Sequence, residues 1–144
     1  MVREVWHEGL AKLPMLEADI DHLSPGGAAF NAETATAVNE FVAFLEDLRE
    51  HDPVALLGVL YVLEGSTMGG SVMKPRIASQ LGLEGDDGLR YYGVYGKEVG
   101  LRFKDFRSRM AEAANGTGAE DRIIEAAKST FDGVSGILRT FVTT

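Results

Sequence analysis

The chain has 144 residues, of which 45% are apolar, so it is long enough to bury the core of one domain. Asp and Glu outnumber Lys and Arg by 22 to 14, and the formal charge of -8 argues against nucleic acid or an anionic membrane as the main partner. Cysteine is absent, which excludes disulfides, thiolate-bound zinc and iron-sulfur clusters. Any metal must therefore be held by His, Asp, Glu or a cofactor.

No apolar run approaches the roughly 20 residues that span a bilayer, and the charged residues within Met1–Leu10 argue against a secretory signal. We therefore expect one soluble domain, 1–144, in the cytoplasm. Helical periodicity runs along nearly the whole chain, whereas strand alternation is convincing nowhere. This pattern predicts an all-α helical bundle.

The first segment, Val2–Leu23, has helical character, and we expect a kink or break at Pro14 because proline removes a backbone donor. A loop follows at Ser24–Gly27, and Asn31 is predicted to cap the next helix. The apolar face of that helix consists of Val38, Phe41, Leu45 and Leu48.

Asp52 and Pro53 together form a helix start signal, because aspartate accepts from free amides at the N-cap and proline suits the first turn. The helix that follows is the longest and the most apolar, so we expect it at the centre of the bundle. Pro75 is predicted to bend or end it. Its apolar residues are Leu56, Leu57, Val59, Leu60, Val62 and Leu63.

The stretch Gly82–Gly88 is acidic and rich in glycine, which predicts an exposed loop. Another helix is expected over about 95–114, closed by Asn115–Gly118. Thr117 and Glu120, three residues apart, predict a capping box at the start of the last helix. One face of that helix carries Ile124, Ala127, Phe131, Val134 and Leu138.

The most informative stretch is Leu60–Gly70, in which Gly65, Gly69 and Gly70 lie inside a predicted helix. Each glycine there costs about 1 kcal/mol relative to alanine. Because Gly65 and Gly69 are four residues apart, they share one helix face, and a face without side chains lets a second helix or a flat ligand approach the backbone closely. Such pairs are common at helix contacts, so the spacing alone leaves both interpretations open.

The longer pattern is more specific. After the glycine stretch come Leu81-Gly82-Leu83, Arg90-Tyr91-Tyr92, Tyr95-Gly96 and Arg102-Phe103-Lys104-Asp105-Phe106. Over about 53–141 the chain resembles the bacterial heme oxygenases, particularly the branch associated with bacteriophytochromes. Glu64–Gly70 is the most specific part, because members of that family have a leucine-rich helix ending in Glu-Gly-Ser-x-x-Gly-Gly. The resemblance implies the heme oxygenase-like multi-helical bundle, here shortened at the N-terminal side.

The resemblance also implies a function. In the family, heme lies between a proximal helix that carries a histidine ligand and the glycine-rich distal helix, on whose side O2 binds. Heme, as both substrate and cofactor, is cleaved oxidatively to biliverdin, carbon monoxide and ferrous iron, with electrons from a separate reductase or ferredoxin. Ser66 stands where some relatives carry an acidic residue that anchors water. The catalytic residues so implied are Gly65, Ser66, Gly69 and Gly70.

Heme propionates are anionic and need cations at the edge of the pocket. Lys104 and Arg107, three residues apart on one predicted helix, are our candidates, with Arg102 in reserve. Tyr61, four residues before Gly65, could donate a hydrogen bond to heme or its propionates. The alternative is that the basic residues form a solvated helix face.

The iron ligand is the open question. His7 is the only histidine on the first predicted helix, and Leu10, Leu13 and Pro14 follow it as in the family context of the proximal ligand. The segment around Leu16 and Glu17 also resembles a later helix of the family, in which case the ligand-bearing helix is missing. His22 and His51 lie at predicted helix ends, where solvated or capping roles are expected.

Two other classes of function remain open. Glu4 with His7 and Asp19 with His22 have the spacing of carboxylate-bridged di-iron bundles, for which Glu40 and Glu64 would complete the ligand set. Alternatively, the chain is a non-catalytic binding module of the same fold. A missing helix would leave an apolar face exposed, so this alternative predicts a homodimer.

Overall fold

The structure, a computed structural model, describes residues 1–142, and within this range it contains helices and turns but no strand. The all-α prediction is therefore confirmed. Three short 3-10 turns occur at Glu8–Leu10, Pro53–Ala55 and Gly96–Glu98. The α-helices of this range are α1 (Val2–Val5), α2 (Leu13–Leu23), α3 (Ala32–His51), α4 (Leu56–Leu81), α5 (Val99–Ala114) and α6 (Glu120–Arg139).

The described residues form two compact units, each assembled from separate stretches of the chain. Unit 1 consists of Met1–Val5, Ala29–Val62 and the described residues from Arg109 onward. Unit 2 consists of Trp6–Ala28 and Leu63–Ser108. Helix α4 therefore begins in unit 1 and ends in unit 2, so the expected single domain stays a prediction.

Unit 1 is built around the beginning of α4 and one side of α6. Leu57 and Val59 of α4 are buried, as are Ile123 and Ala126 of α6. Two hydroxyls join the ends of the unit, because the Oγ1 atoms of Thr34 and Thr140 lie 2.7 Å apart and share a hydrogen bond. The predicted apolar face of α3 is half-buried at all four positions, namely Val38, Phe41, Leu45 and Leu48.

Unit 2 buries Leu10, Leu89 and Phe106. The loop before α5 is held by Asp19 of α2, which is buried and accepts two backbone hydrogen bonds, from the amides of Arg90 at 2.9 Å and Tyr91 at 2.8 Å. A carboxylate that accepts from two amides fixes the turn between α4 and α5 in place. This pairing joins residues more than 70 positions apart in the chain.

The predicted break in the first segment is real but lies elsewhere. The helix is interrupted between Val5 and Leu13, whereas Pro14 lies in the first turn of α2. Proline is tolerated at that position because its missing donor would be unpaired in a first turn anyway. The prediction of a break at Pro14 is therefore wrong, and so is the placement of His7 on a helix.

The predicted caps had mixed outcomes. Asn31 caps α3 as expected, since its Oδ1 accepts from the Thr34 amide at 2.8 Å. Asp52 occupies the N-cap position and Pro53 the first turn, as predicted, but the Asp52 carboxylate accepts from the Arg122 guanidinium and not from a helix amide. The capping box is also wrong: the Glu120 carboxylate accepts from the Gly116 amide, and Ala119 is the N-cap residue of α6.

Helix α4 is longer and less buried than expected. It continues six residues past Pro75, so the prediction that this proline ends it is wrong. Its first turns are buried, but Val72 is 80% exposed.

The stretch Pro53–Leu81 is also long and apolar enough to cross a membrane, and 28% of its most apolar part is buried. The expectation that no segment of the chain is long and apolar enough is therefore wrong. Core helices of soluble proteins share this length and composition, and Glu64 lies within it.

Helix α6 buries a different face from the predicted one. Its buried residues are Ile123, Ala126 and Thr130. The predicted apolar face is largely outward: Phe131 is 65% exposed and Leu138 is 61% exposed. The sequence correctly groups these residues on one face but does not reveal that Ile124, Phe131 and Leu138 remain exposed within residues 1–142.

Candidate functional site

The glycine motif lies in the part of α4 that belongs to unit 2, and its three glycines have different surroundings. A Cβ atom on Gly69 would meet nothing within 4 Å. At Gly65 it would be 3.4 Å from Cζ of Phe103, and at Gly70 it would be 3.4 Å from Cδ1 of Tyr92, which is ordinary contact in both cases. The helix face at Gly69 is therefore open, and at Gly65 it is bordered by an aromatic ring.

A fourth glycine of the same helix shows what close helix packing looks like. In unit 1, a Cβ on Gly58 would lie 2.1 Å from the carbonyl oxygen of Ile123 and 2.7 Å from the Ala127 nitrogen. The main chains of α4 and α6 thus touch at Gly58, a residue that the sequence analysis did not single out. The helix-contact interpretation belongs to this glycine, whereas the backbone at Gly69 remains accessible.

The two hydroxyl residues of the motif are tied to the helix itself. Ser66 is exposed, and its Oγ donates to the Leu63 carbonyl at 2.6 Å. Thr67 is buried and donates to the Glu64 carbonyl, also at 2.6 Å. Because the hydroxyl proton of Ser66 is used in this bond, its oxygen can act toward water or a ligand only as an acceptor.

Lys12, Glu64 and Tyr95 form a polar cluster in unit 2, in which Glu64 is buried and the other two residues are half-buried. The Glu64 side chain is 3% exposed and pairs with the Lys12 ammonium, which is 10% exposed and also donates to the Leu10 carbonyl at 3.0 Å. The Tyr95 hydroxyl donates to Glu64 Oε2 at 2.8 Å. Lys12 Nζ lies 5.2 Å from the centre of the Tyr95 ring, so the cation also faces an aromatic surface.

Burial raises the pKa of Tyr95 well above its usual range, and the hydrogen bond to Glu64 and the negative charge of that carboxylate raise it further. The phenol therefore remains protonated at physiological pH and remains a donor to Glu64. The cluster as a whole is satisfied, because no buried side-chain nitrogen or oxygen among the described residues lacks a hydrogen-bond partner. It fixes α4 immediately before Gly65.

The cations predicted for propionate binding lie on α5, exposed, and one of them reaches the glycine face indirectly. Arg107 lies over the Phe103 ring at 5.8 Å, and that ring borders Gly65. Lys104 is exposed on the same helix. The reserve candidate, Arg102, is engaged by Glu98 at 3.3 Å and also covers the Tyr95 ring. Tyr61, one turn before Gly65 on α4, is 38% exposed.

The three histidines are used in other ways. His7 is half-buried and acts as the N-cap of the turn Glu8–Leu10, where its Nδ1 accepts from the Gly9 amide at 3.1 Å. This bond places the proton of the neutral imidazole on Nε2. His22 is exposed at the end of α2, and His51, also exposed, pairs with Asp47 on α3.

No group of three or more metal-ligating side chains occurs in the part of the chain that the structure describes. The di-iron hypothesis required Asp19 and Glu64 as ligands, yet Asp19 holds the backbone of the loop before α5 and Glu64 is paired with Lys12. Glu40 lies in unit 1, on α3. Asp19 and Glu64 are therefore already engaged by other groups of the protein.

The family model described as heme oxygenase matches residues 1–140. The chain belongs to the heme oxygenase family. Neither the curated proteins nor the solved structures contain a match. The family match extends over nearly the whole chain and includes the first 52 residues, which lie before the stretch of about 53–141 on which the resemblance was based.

In this heme oxygenase family member the glycine face of α4 is open to a flat ring, whereas His7 in its capping role does not present a free nitrogen to iron. On the glycine side, the open backbone at Gly69 offers the close approach that a flat ring needs. An iron atom needs an unprotonated imidazole nitrogen as its ligand, and the capping role of His7 leaves the proton of its neutral ring on Nε2. His7 would have to give up the Gly9 amide to become a ligand through Nε2.

Sequence reasoning missed the roles of Lys12 and Tyr95 in this site, although one signal pointed to them. Glu64 is the only ionisable carboxylate in the apolar run that precedes the glycine motif, and a buried carboxylate requires a cation or donors. No Lys or Arg stands within four residues of Glu64 on α4, so the partner had to come from another element. Which element supplies the cation for Glu64 depends on the tertiary structure and cannot be predicted from residue spacing.

Proposed function

We propose that this chain binds heme with one ring face against α4 at Gly65 and Gly69 and cleaves it oxidatively to biliverdin, carbon monoxide and ferrous iron. The observation that carries the proposal is the open helix face at Gly69. Close packing against α6 occurs at a different glycine of the same helix, Gly58. Family membership supports the same chemistry. When bound, heme is the substrate and also supplies the iron that activates O2, with electrons from a separate reductase or ferredoxin.

In this proposal each residue of the site has a limited task. The bare backbone of Gly65, Gly69 and Gly70 admits the ring and leaves room for O2. The Ser66 oxygen accepts a hydrogen bond from an ordered water on the glycine side. Lys104 and Arg107 bind the propionates at the pocket edge, and Tyr61 donates a hydrogen bond there. The proposed location is the cytoplasm, with which a chain free of cysteine is compatible.

The test is Gly69→Leu, with Gly136→Leu as the matched control. Gly136 is likewise a helical glycine with nothing within 4 Å of its Cβ position, and it borders a cleft of about 330 Å³ on α6. A leucine at Gly69 would occupy the space of the ring, so we expect biliverdin formation to fall by about 100-fold or more. The Gly136→Leu variant should retain it.

Hemin binding and bilin formation are measured by absorption, with reductant present and with free imidazole added in parallel. Free imidazole is added because it can serve as the proximal iron ligand while His7 remains the cap of Glu8–Leu10. Normal turnover by Gly69→Leu would show that the ring does not bind at this face, whatever the state of the ligand.

The capping role of His7 favours a second candidate, a non-catalytic binding module of the same fold. If His7 remains the cap, we expect the Soret band of the hemin complex to be unchanged in His7→Ala, and free imidazole to shift it equally in both proteins. A Soret band that is lost in His7→Ala and restored by imidazole would identify His7 as the iron ligand. Absence of bilin in every arm, with hemin still bound, would support the module over the enzyme.

A further inference from the structure

The outward face of α6 carries several large apolar side chains that unit 1 leaves exposed. Ile124, Phe131 and Leu138 are 52%, 65% and 61% exposed, whereas the neighbouring positions Ile123 and Thr130 are buried in the unit. At the C-terminal end, Phe141 is 56% exposed and contacts Phe30 edge to face at 6.4 Å. The exposed face, defined by Ile124, Phe131, Leu138 and Phe141, is called the α6 seam below.

The spacing of the α6 seam is that of a helix that pairs with another helix. Ile124, Phe131 and Leu138 are seven residues apart, and Ala127 and Val134 fall between them at the alternate heptad position. The pattern is also symmetric about Phe131, with one aliphatic residue seven positions before it and one seven positions after it. A face with this property is complementary to a second copy of itself related by a twofold axis at Phe131.

The charges at the two ends of α6 favour an antiparallel pair of helices over a parallel one. The first turn of α6 carries Glu120 and Asp121, and its last turn carries Arg139. A parallel pair would place the acidic turns of both copies side by side, whereas an antiparallel pair brings each acidic turn toward the partner's basic end. The helix dipoles also oppose each other favourably in the antiparallel arrangement.

The exposed area is appropriate to a dimer. Each of the four seam side chains, being half or more exposed, contributes on the order of 100 Å². The seam alone thus supplies about half of the roughly 800 Å² that each partner buries in a stable interface. We infer that two copies of this chain pair through the α6 seam as an antiparallel, twofold symmetric dimer with Phe131 at the axis. This inference is independent of heme binding.

The experiment compares Phe131→Asp with Leu101→Asp by analytical ultracentrifugation of the full chain. Leu101, on α5, is 71% exposed and lies outside the seam, so it controls for the loss of any exposed apolar side chain. We expect Phe131→Asp to raise the dissociation constant by about 30-fold or more, because the substitution brings two carboxylates together at the axis. The Leu101→Asp variant should dimerise like the parent.

Disulfide cross-linking tests whether the two α6 helices are antiparallel. The chain has no cysteine of its own, so only the introduced cysteines can form a disulfide. Oxidation of a mixture of Ile124→Cys and Leu138→Cys should give a disulfide-linked pair, whereas either variant alone should give none. A chain that is monomeric at all concentrations, or a dimer that Phe131→Asp does not weaken, would overturn the inference. Pairs formed by Ile124→Cys alone would overturn the antiparallel arrangement. Circular dichroism of each variant verifies that the helices are retained.

Discussion

Replacing Gly58 with alanine is expected to lower the free energy of unfolding by about 3 kcal/mol or more. The added methyl group would lie 2.1 Å from the Ile123 carbonyl oxygen, a main-chain atom that cannot rotate away. The only relief is a separation of α4 and α6, which would loosen the packing around Leu57 and Ile123. Urea or thermal unfolding followed by circular dichroism measures the loss.

The matched control is the same substitution at Gly69. Alanine there meets nothing within 4 Å and removes the conformational cost of a helical glycine, so we expect a gain of up to about 1 kcal/mol. The two variants differ only in which glycine of one helix is changed. Equal effects on the free energy of unfolding would mean that the close contact at Gly58 and the open face at Gly69 do not describe the protein in solution.

These two glycines also show where sequence reasoning ends. Periodicity locates the helix, and the family motif draws attention to Gly65, Gly69 and Gly70, but nothing in the local sequence distinguishes a packed glycine from an open one. Gly58 stands in an ordinary apolar run, and only the approach of α6 reveals its role. The surroundings of a side-chain-free position depend on distant elements, which helical spacing does not specify.

The same limit explains the errors at helix ends and faces. Asn31 was predicted correctly because its cap is made within three residues of the chain. Asp52 also occupies its predicted N-cap position, but its side chain makes no cap bond because Arg122, 70 residues away, donates to its carboxylate. On α6, hydrophobic spacing grouped Ile124, Phe131 and Leu138 correctly, yet the buried side of the helix is the adjacent one. Local sequence patterns therefore predict secondary-structure elements more reliably than they predict which elements pack against one another.

The polar cluster of Lys12, Glu64 and Tyr95 gives the second large expected effect, a loss of about 3–5 kcal/mol of unfolding free energy in Lys12→Met. Without the ammonium, the Glu64 carboxylate is left with the Tyr95 hydroxyl alone while its side chain is 3% exposed. Glu64→Gln should cost a similar amount for the opposite reason, because it leaves the Lys12 cation buried without a counter-charge. Chemical denaturation of both variants checks these values.

The double variant Lys12→Met with Glu64→Met distinguishes a charge effect from a packing effect. Both side chains then become apolar at similar length, so no unpaired charge remains, and stability should return to within about 2 kcal/mol of the parent. Tyr95 keeps one acceptor, the Gly9 carbonyl at 3.3 Å, and only the Leu10 carbonyl loses its donor. Losses that simply add in the double variant would contradict a buried ion pair at this position. Recovery would mean that Glu64 and Lys12 are held there by each other, which is how an apolar helix can carry a carboxylate directly before Gly65.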